Sequence, residues 1–439
     1  LTRLSWLWIL ALLIKIIVAG YLPLSPDEAY YWVWSKYPQM SYFDHPPFVA
    51  WLFQFGRIFE NYHSFVRIPS VIFLHFSFWI WIPILKRFLG DDEVWKWAIL
   101  WLLNPLTGPG SIVVTPDLPL MFFLPLATLA LLRTIETKSL KWAASFGVCL
   151  GLGFCSKYHM GLFGLIALIW ALWERKLTRG HLLCLLMATF SFSLTSLPVW
   201  LWNLNNEFAS FRFQIHHGLG HSKWNPFWTW SYFIGQVGLL FPFVVWAFLL
   251  NFRSKRLPKW VNFFALGPLI FFLASSFRGK VEANWPIVAY PFFLAVAGLY
   301  FPSRLFKITL VTWVALTSFF IVDLGFGIIP EKWTPSKLKE IKRIESAFGE
   351  TREYRPLFVH SYQIAAKMSF LNREAIYKLR GSGRFDFFDG LEGSMPPKVP
   401  FYFLTLRGES LPVEYVKDFM ISDRTEIGDD FDLLKVIPQ

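Results

Sequence analysis

Asp27 and Glu28 stand side by side in SPDEAYYWVWSKYPQMSYFDHPP, residues 25–47, and Asp44 and His45 follow within the same stretch. A carboxylate partly withdrawn from water among Tyr30, Tyr31, Trp32 and Trp34 becomes more basic. That combination suits a general base taking a proton from a sugar or side-chain hydroxyl. The plainer alternative is a solvated acid pair near a helix end. Pro46 and Pro47 forbid a helix through YFDHPP and favour a rigid turn after Tyr42. Phe48–Phe59 then reads as an amphipathic helix at the membrane interface. His45 is a candidate phosphate donor or metal ligand, or else a structural histidine. Tyr42 and Asp44 are candidate contacts to a sugar or an acceptor.

Three further stretches interrupt apolar runs with groups of the right kind. NPLTGPGSIVVTPDLP, residues 104–119, holds one acid, Asp117, which is costly beside a membrane segment unless paired or facing a cavity. It also suits the first turn of a helix opened by Thr115–Pro116, where the dipole favours an anion. Ser156, Lys157, Tyr158 and His159 break a long apolar stretch. A lysine at a broken helix can meet a phosphate; snorkelling is the competing account, but it leaves the other three polar residues unexplained. In RGKVEANWP, residues 278–286, Arg278 and Lys280 offer positive charge, Glu282 another acid and Asn284 an amide. Residues 203–225 carry Glu207, Arg212, His216, His217 and His221. The last two are four apart, as zinc ligands on a helix can be, but Gly218 and Gly220 weaken a helix there. A divalent metal ion is the one cofactor these histidines raise.

The elements that must position these groups are membrane spans. The chain has 439 residues, 55% hydrophobic and 20% aromatic, with 23 Trp and 48 Phe. Charged residues make up 16%, against roughly 25% in soluble domains, and mean hydropathy is +0.42. Apolar runs at 4–20, 65–85, 97–114, 118–132, 142–156, 160–173, 181–200, 229–250, 261–277, 286–301 and 308–329 predict about 11 transmembrane helices, several near the lower limit of about 17 residues for crossing. The first lacks a small-residue cleavage site before Tyr21 and reads as a span rather than a removed signal.

Basic residues set the direction. With the N-terminus in the cytoplasm, the inside segments hold 16 Lys and Arg and the outside segments before the tail hold eight. Every polar cluster named above then falls on the outer side, while the inside loops are plain charged connectors. The net charge of +12 lies wholly in residues 1–330, because residues 331–439 carry 17 basic and 17 acidic side chains. No soluble face concentrates that charge, which excludes a nucleic-acid binder.

Two domains are expected: a transmembrane part over 1–330, with its first external loop at 21–64, and a soluble extracytoplasmic part over 331–439. In the latter, residues 335–348 have helical periodicity, Leu357–Val359 reads as a strand leading into a helix from Tyr362, and residues 399–408 alternate as a strand. Cys149, Cys155 and Cys184 lie in apolar runs without metal-binding or disulfide spacing.

The stretches LSPDEAYYWVWS, SYFDHPPFVAWL, TPDLPL, SKYHM and EANWPIVAYP, in this order, resemble the bacterial branch of the protein O-mannosyltransferase-like glycosyltransferases. In the tail, YQIAAKMSF and GRFDFF are similar too. The resemblance implies an all-α polytopic GT-C fold with a small α/β extracytoplasmic domain. It also implies transfer of a monosaccharide from an undecaprenyl-phosphate carrier to lipid A, lipopolysaccharide core or protein, at the outer face of the bacterial inner membrane. The family's catalytic acid of the first loop carries over to Asp27, with Glu28 beside it, and a second functional acid to Asp117. Lipid A aminoarabinose transferases, a related branch, have a lysine before the Pro-Pro pair where this chain has His45.

On this reading a single attack inverts the anomeric centre, with Asp27 as general base. Lys157, Arg278, Lys280 and His45 neutralise the leaving phosphate, since fixed donors contribute most where charge develops. Tyr42, Asp44, Tyr158, Glu282 and Asn284 hold sugar or acceptor. A ligase or polymerase of lipid-linked glycans shares the outer-face location and differs in its diphosphate-linked donor. A transporter would show paired polar half-repeats at mid-membrane, of which Lys15 is the lone candidate.

Overall fold

The computed structural model describes residues 2–62, 64–220, 223–254, 256–326, 328 and 337–439. The chain divides into two compact units, one made of residues 1–21 and 40–318, the other of 22–39 and 319–439.

The first unit is helical. It begins with α1 (Thr2–Tyr21); α2 (Pro26–Lys36) belongs to the second unit. Then follow α3 (Phe48–Gly56), α4 (Ile68–His75), α5 (Ser77–Leu85), α6 (Asp91–Leu103), α7 (Asp117–Thr137), α8 (Leu140–Phe154) and α9 (His159–Trp173). The remaining helices are α10 (Arg179–Thr195), α11 (Leu197–Asn205), α12 (Ala209–Leu219), α13 (Pro226–Ser254), α14 (Lys259–Ser275), α15 (Tyr290–Tyr300) and α16 (Ser303–Phe326), the last of which runs on into the second unit from Phe319. Each of the eleven apolar runs contains a helix. By length and composition, four stretches among the described residues suffice to cross a membrane singly: α1, Phe65–Leu85, α7 and Ser303–Asp323. The pair α10–α11, bent by 56° at Ser196, has the length and composition of a fifth if it is taken as one broken span rather than a re-entrant loop.

Side-chain size explains how the bundle closes. α7 packs on α8, and α8 on α10. The last contact is close because α8 presents glycine. A Cβ at Gly147 would collide with the carbonyl of Ala188, and one at Gly151 with the Thr195 hydroxyl. Small residues let membrane helices approach in this way, where dispersion rather than water exclusion must hold them. α7 is largely enclosed, whereas α1 shows Trp6, Leu10, Leu13 and Ile17 on its outer face, a surface suited to lipid. The buried Arg67 guanidinium donates to the Ala19 carbonyl at 3.1 Å, satisfying an end of α1 that has no further helical turn.

The second unit is α/β. A helix, α17 (Lys337–Thr351), buries Ile341, Ile344 and Ala347 along one face. Strand β1 (Leu357–Val359), helix α18 (Tyr362–Asn372) and strand β2 (Tyr377–Lys378) form a parallel crossover. β3 (Phe401–Leu406), β4 (Phe419–Ile427) and β5 (Phe431–Pro438) complete a five-stranded sheet of order β2-β1-β3-β5-β4. β3 runs parallel to β1 with Phe358 opposite Phe403, and β5 is antiparallel to both β3 and β4. Phe358, Leu379, Phe401, Phe403, Leu434 and Val436 share one apolar core. The strand, helix and strand expected around 357, 362 and 401 all form where the sequence pattern puts them.

α2 lies against α18. Trp32 and Trp34 are fully buried, and each such side chain contributes about 1.5–3 kcal/mol through burial. Trp32 meets Phe370 edge-on at 5.2 Å, and the Lys367 ammonium donates to the Leu24 carbonyl at 3.1 Å.

Candidate functional site

The acids of the first loop open a helix. Ser25 caps α2, its hydroxyl accepting from the Glu28 amide at 3.3 Å while Glu28 Oε2 accepts from the Ser25 amide at 2.9 Å. This reciprocal box satisfies two end donors and gives the fully buried Glu28 a local structural task. Asp27, one position earlier, is half-buried, and its Oδ1 accepts the Tyr362 hydroxyl at 3.2 Å. Tyr30 packs against Tyr362 with its ring tilted by 40° and the centroids 4.5 Å apart, and the Arg384 guanidinium lies 4.6 Å over the Tyr362 ring. The carboxylate of Asp27 thus stands at a helix N-terminus, in an aromatic setting, with one oxygen directed by a phenol.

The bed of α2 has its own charged anchor. Lys378 is fully buried, with its ammonium 2.8 Å from Asp386 Oδ2 and 2.5 Å from Asp389 Oδ2. Asp389 Oδ2 also accepts the Asp386 amide at 2.8 Å, and its Oδ1 the Gly381 amide at 3.1 Å. The loop so fixed brings the Phe387 amide to the Tyr30 hydroxyl, at 2.9 Å. Burial pushes the Asp386 carboxyl up to about 6, against the Lys378 charge, which favours the anion.

In the helical unit, three chain breaks converge. Asp117 is the first residue of α7, as expected, but both its oxygens are taken by side chains. Oδ1 lies 2.7 Å from the Lys157 ammonium, and Oδ2 accepts from the Asn284 amide at 2.6 Å. Lys157 comes from the interruption between α8 and α9, and Asn284 from the turn before α15. Lys157 and Asp117 are both buried, so each charge depends on the other: removing either partner strands an uncompensated buried charge. A cavity of about 100 Å³ opens beside it, lined in part by Trp101, Thr107, Ser111, Thr115, Asp117 and Asn284. The loop carrying Thr107 and Ser111 is held by Asn104, whose Oδ1 accepts the Leu106 and Thr107 amides at 3.1 and 3.4 Å.

The other candidates take separate places. The Asp44 carbonyl accepts the Gln214 side-chain amide at 2.5 Å, and the His45 carbonyl accepts the Tyr42 amide at 3.2 Å, giving the turn expected at YFDHPP. Tyr158 pairs its hydroxyl with Ser210 at 2.7 Å. His159 packs against Phe272 and Trp285, so the four residues of the polar break point to different neighbours. Lys280 and Glu282 form an exposed ion pair at 2.9 Å, and Arg278 is exposed. His217 lies flat against Phe213, with centroids 5.8 Å apart. His221 lies outside the described residues. Among the described residues no three His, Cys, Asp or Glu side chains are grouped as a metal site.

Asn284, expected to contact sugar or acceptor, donates its amide to Asp117 Oδ2 here. It also missed Tyr362, Gln214 and the Lys378 cluster. A larger cavity of about 280 Å³, lined by residues of α7–α10 such as Leu150, Leu168 and Phe192, contains none of the polar groups singled out in the sequence.

Residues 44–202 match the family model of dolichyl-phosphate-mannose-protein mannosyltransferase. Over 282 residues the chain is 24% identical to the lipid A galacturonosyltransferase RgtD of Rhizobium johnstonii, covering 60% of this chain and 58% of that protein. The chain thus spans about 58% of that relative's length. The crystal structure of ArnT from Cupriavidus metallidurans bound to undecaprenyl phosphate superposes with a TM-score of 0.66 at 14% identity, covering 99% of this chain and 98% of that one. The apo form of the same protein gives 0.67. The fold is therefore that of ArnT, a polytopic GT-C architecture with a C-terminal α/β extension, and the resemblance read from the sequence motifs is borne out.

Proposed function

We propose that this protein is an inverting glycosyltransferase that moves a monosaccharide from a polyprenyl-phosphate carrier to a hydroxyl on lipid A, lipopolysaccharide core or a protein. The observation that carries the reading is the ArnT-like fold over 99% of the chain, in a sequence whose 44–202 segment matches the mannosyltransferase family. The superposed ArnT structure is bound to undecaprenyl phosphate, and the Rhizobium johnstonii relative is a lipid A galacturonosyltransferase. Both bear on donor and acceptor class here.

The chemistry asks for a base and for neutralisation of a leaving phosphate. Asp27 is the proposed base, taking the acceptor proton as the hydroxyl oxygen bonds to the anomeric carbon. The glycosyl–phosphate bond breaks on the opposite side, and the phosphate leaves with its own charge. It needs positive neighbours more than an acid. Lys157, Arg278, Lys280 and His45 remain the candidates for that task. Asp117 belongs with Lys157 and Asn284, and fixes the direction of the lysine. Tyr42, Asp44, Tyr158 and Glu282 are proposed to contact sugar or acceptor, and Glu28 to hold α2 in shape beside the base. A divalent ion, if one is used, would draw on His217 and His221.

The chain is proposed to cross the bacterial inner membrane about 11 times, with the N-terminus in the cytoplasm and residues 331–439 outside; the basic-residue bias between loops supports this direction. The test is transfer by the purified protein from a lipid-linked sugar. Asp27→Asn should lose at least 10²-fold with unchanged melting behaviour, and wild-type turnover by that variant would remove Asp27 from the reaction. Mass spectrometry of lipid A, core and glycoproteins in a deletion strain names the acceptor through the missing sugar.

A further inference from the structure

The loop that follows β2 is tied down more firmly than a connector requires. Lys378, already paired with Asp386 and Asp389, also donates to the Arg384 carbonyl at 2.7 Å, so the three hydrogens of its ammonium are all spent. The Ser382 hydroxyl shares its one hydrogen between the Leu379 and His360 carbonyls, at 2.5 and 2.9 Å. His360 ends β1 two positions before Tyr362, and its Nδ1 lies 3.1 Å from Glu409 Oε2. Gly383 permits this close approach. Its φ of +59° is in the left-handed region, and a Cβ there would stand 3.2 Å from the His360 carbonyl oxygen.

The loop so held addresses both phenols beside Asp27. The Phe387 amide donates to the Tyr30 hydroxyl at 2.9 Å, and the Arg384 guanidinium lies 4.6 Å over the Tyr362 ring. Tyr362 in turn donates to Asp27 Oδ1 at 3.2 Å. Arg384 is exposed, and a long side chain that settles on a ring gives up rotamer freedom it could keep in water. The ring's quadrupole holds the guanidinium there. Its charge draws electron density from the ring and makes the phenol a stronger donor to a carboxylate.

We propose that Arg384 is a positioning residue for Asp27, acting through the Tyr362 hydroxyl, and that residues 381–384 are the strap that keeps it in place. The proposal rests on the reading of Asp27 as the base in sugar transfer. Arg384 touches neither donor nor acceptor in this role. Its whole effect passes through one phenol oxygen.

The test is a double-mutant cycle on transfer by the purified full chain. The donor is the pool of polyprenyl-phosphate sugars extracted from the bacterium that makes this protein, and the acceptor is the envelope of its deletion strain. Arg384→Met should lower kcat about threefold, with KM for the donor pool within twofold, and Arg384→Lys should restore most of the loss. In a Tyr362→Phe background, which keeps the ring and removes the hydroxyl, Arg384→Met should have no further effect. Gly383→Ala should mimic Arg384→Met and add nothing to it. Independent, multiplying losses from Arg384→Met and Tyr362→Phe overturn the proposal, as does unchanged kcat in Arg384→Met. A raised KM at unchanged kcat makes Arg384 a substrate contact instead and overturns it equally. Multiplying losses from Gly383→Ala and Arg384→Met overturn the strap. Asp27→Asn on the same preparations separates the two readings. Loss of transfer in that variant without coupling between Arg384 and Tyr362 sinks this proposal alone, whereas full transfer by Asp27→Asn sinks the base and the proposal with it.

Discussion

The hydroxyl of Tyr362 donates to Asp27 Oδ1 across 3.2 Å, although 335 positions separate the two residues. A carboxylate proposed as the base is thus oriented by a phenol from the first turn of α18, in the C-terminal part of the chain. Hydrogen bonds to charged groups contribute about 1.5–3 kcal/mol, enough to decide which oxygen of Asp27 faces an acceptor.

Removing that phenol oxygen should therefore slow the reaction without unfolding the protein. Tyr362→Phe is expected to lower kcat about 10-fold or more, with KM for the lipid-linked donor within twofold and an unchanged melting temperature. Steady-state transfer assays check this; unaltered kcat would show that the phenol does not serve Asp27.

The Lys157–Asp117 pair should respond as a buried unit. Breaking one side of such a pair costs about 3–5 kcal/mol, so Lys157→Met and Asp117→Leu should each lower thermal stability sharply. The double variant should recover part of the loss, because no charge is left stranded. Equal melting temperatures for all three variants and wild type would show that the pair is exposed to solvent in the membrane.

Packing of α8 on α10 should be intolerant of one carbon. The Cβ of Gly147→Ala would meet the backbone carbonyl of Ala188, which cannot rotate away. A cost of about 1–3 kcal/mol is expected, read as a lower melting temperature. Gly349→Ala, which meets nothing within 4 Å, is the control.

Asp386 should titrate near pH 6. Its acid form is favoured in the folded state, so its contribution to stability is fully present below the ordinary carboxylate range and is lost as pH rises through about 6. Infrared difference spectra of wild type against Asp386→Asn should show one carboxylate appearing with that midpoint. A midpoint near the ordinary carboxylate value would mean that Lys378 outweighs burial.

The direction of the chain is open to labelling. In a background without Cys149, Cys155 and Cys184, Ser139→Cys should react only with membrane-permeant maleimide and Lys280→Cys with an impermeant one. Both on one side would overturn the proposed span count between them.

Much of this architecture was legible in the sequence because hydropathy and turn chemistry are local. The helix start at Asp117 follows from Thr115–Pro116, and the break at Ser156–His159 from four polar residues in an apolar run. The strand–helix–strand order after residue 356 follows from alternation giving way to helical spacing. The partners of those groups were not legible, because pairing across 40 or 167 positions leaves no local mark: Lys157 and Asn284 reach Asp117 over those separations. Lys15 was conspicuous for its charge, but only the fold brings Ser111 to it. Tyr362 opened a tail stretch that resembles the family, YQIAAKMSF, but nothing local tied its hydroxyl to Asp27, 335 positions away.

Residues 22–39 belong to one compact unit with 319–439. During synthesis the proposed base therefore leaves the ribosome long before α18, its supporting partner, has been made. Until then α2 lacks the Phe370 ring that Trp32 packs against. The same arrangement governs recombination between relatives: a chimera that exchanges the tail at residue 330 alone pairs one parent's α2 with the other's α18, whereas moving residues 22–39 together with the tail keeps the bed of Asp27 intact.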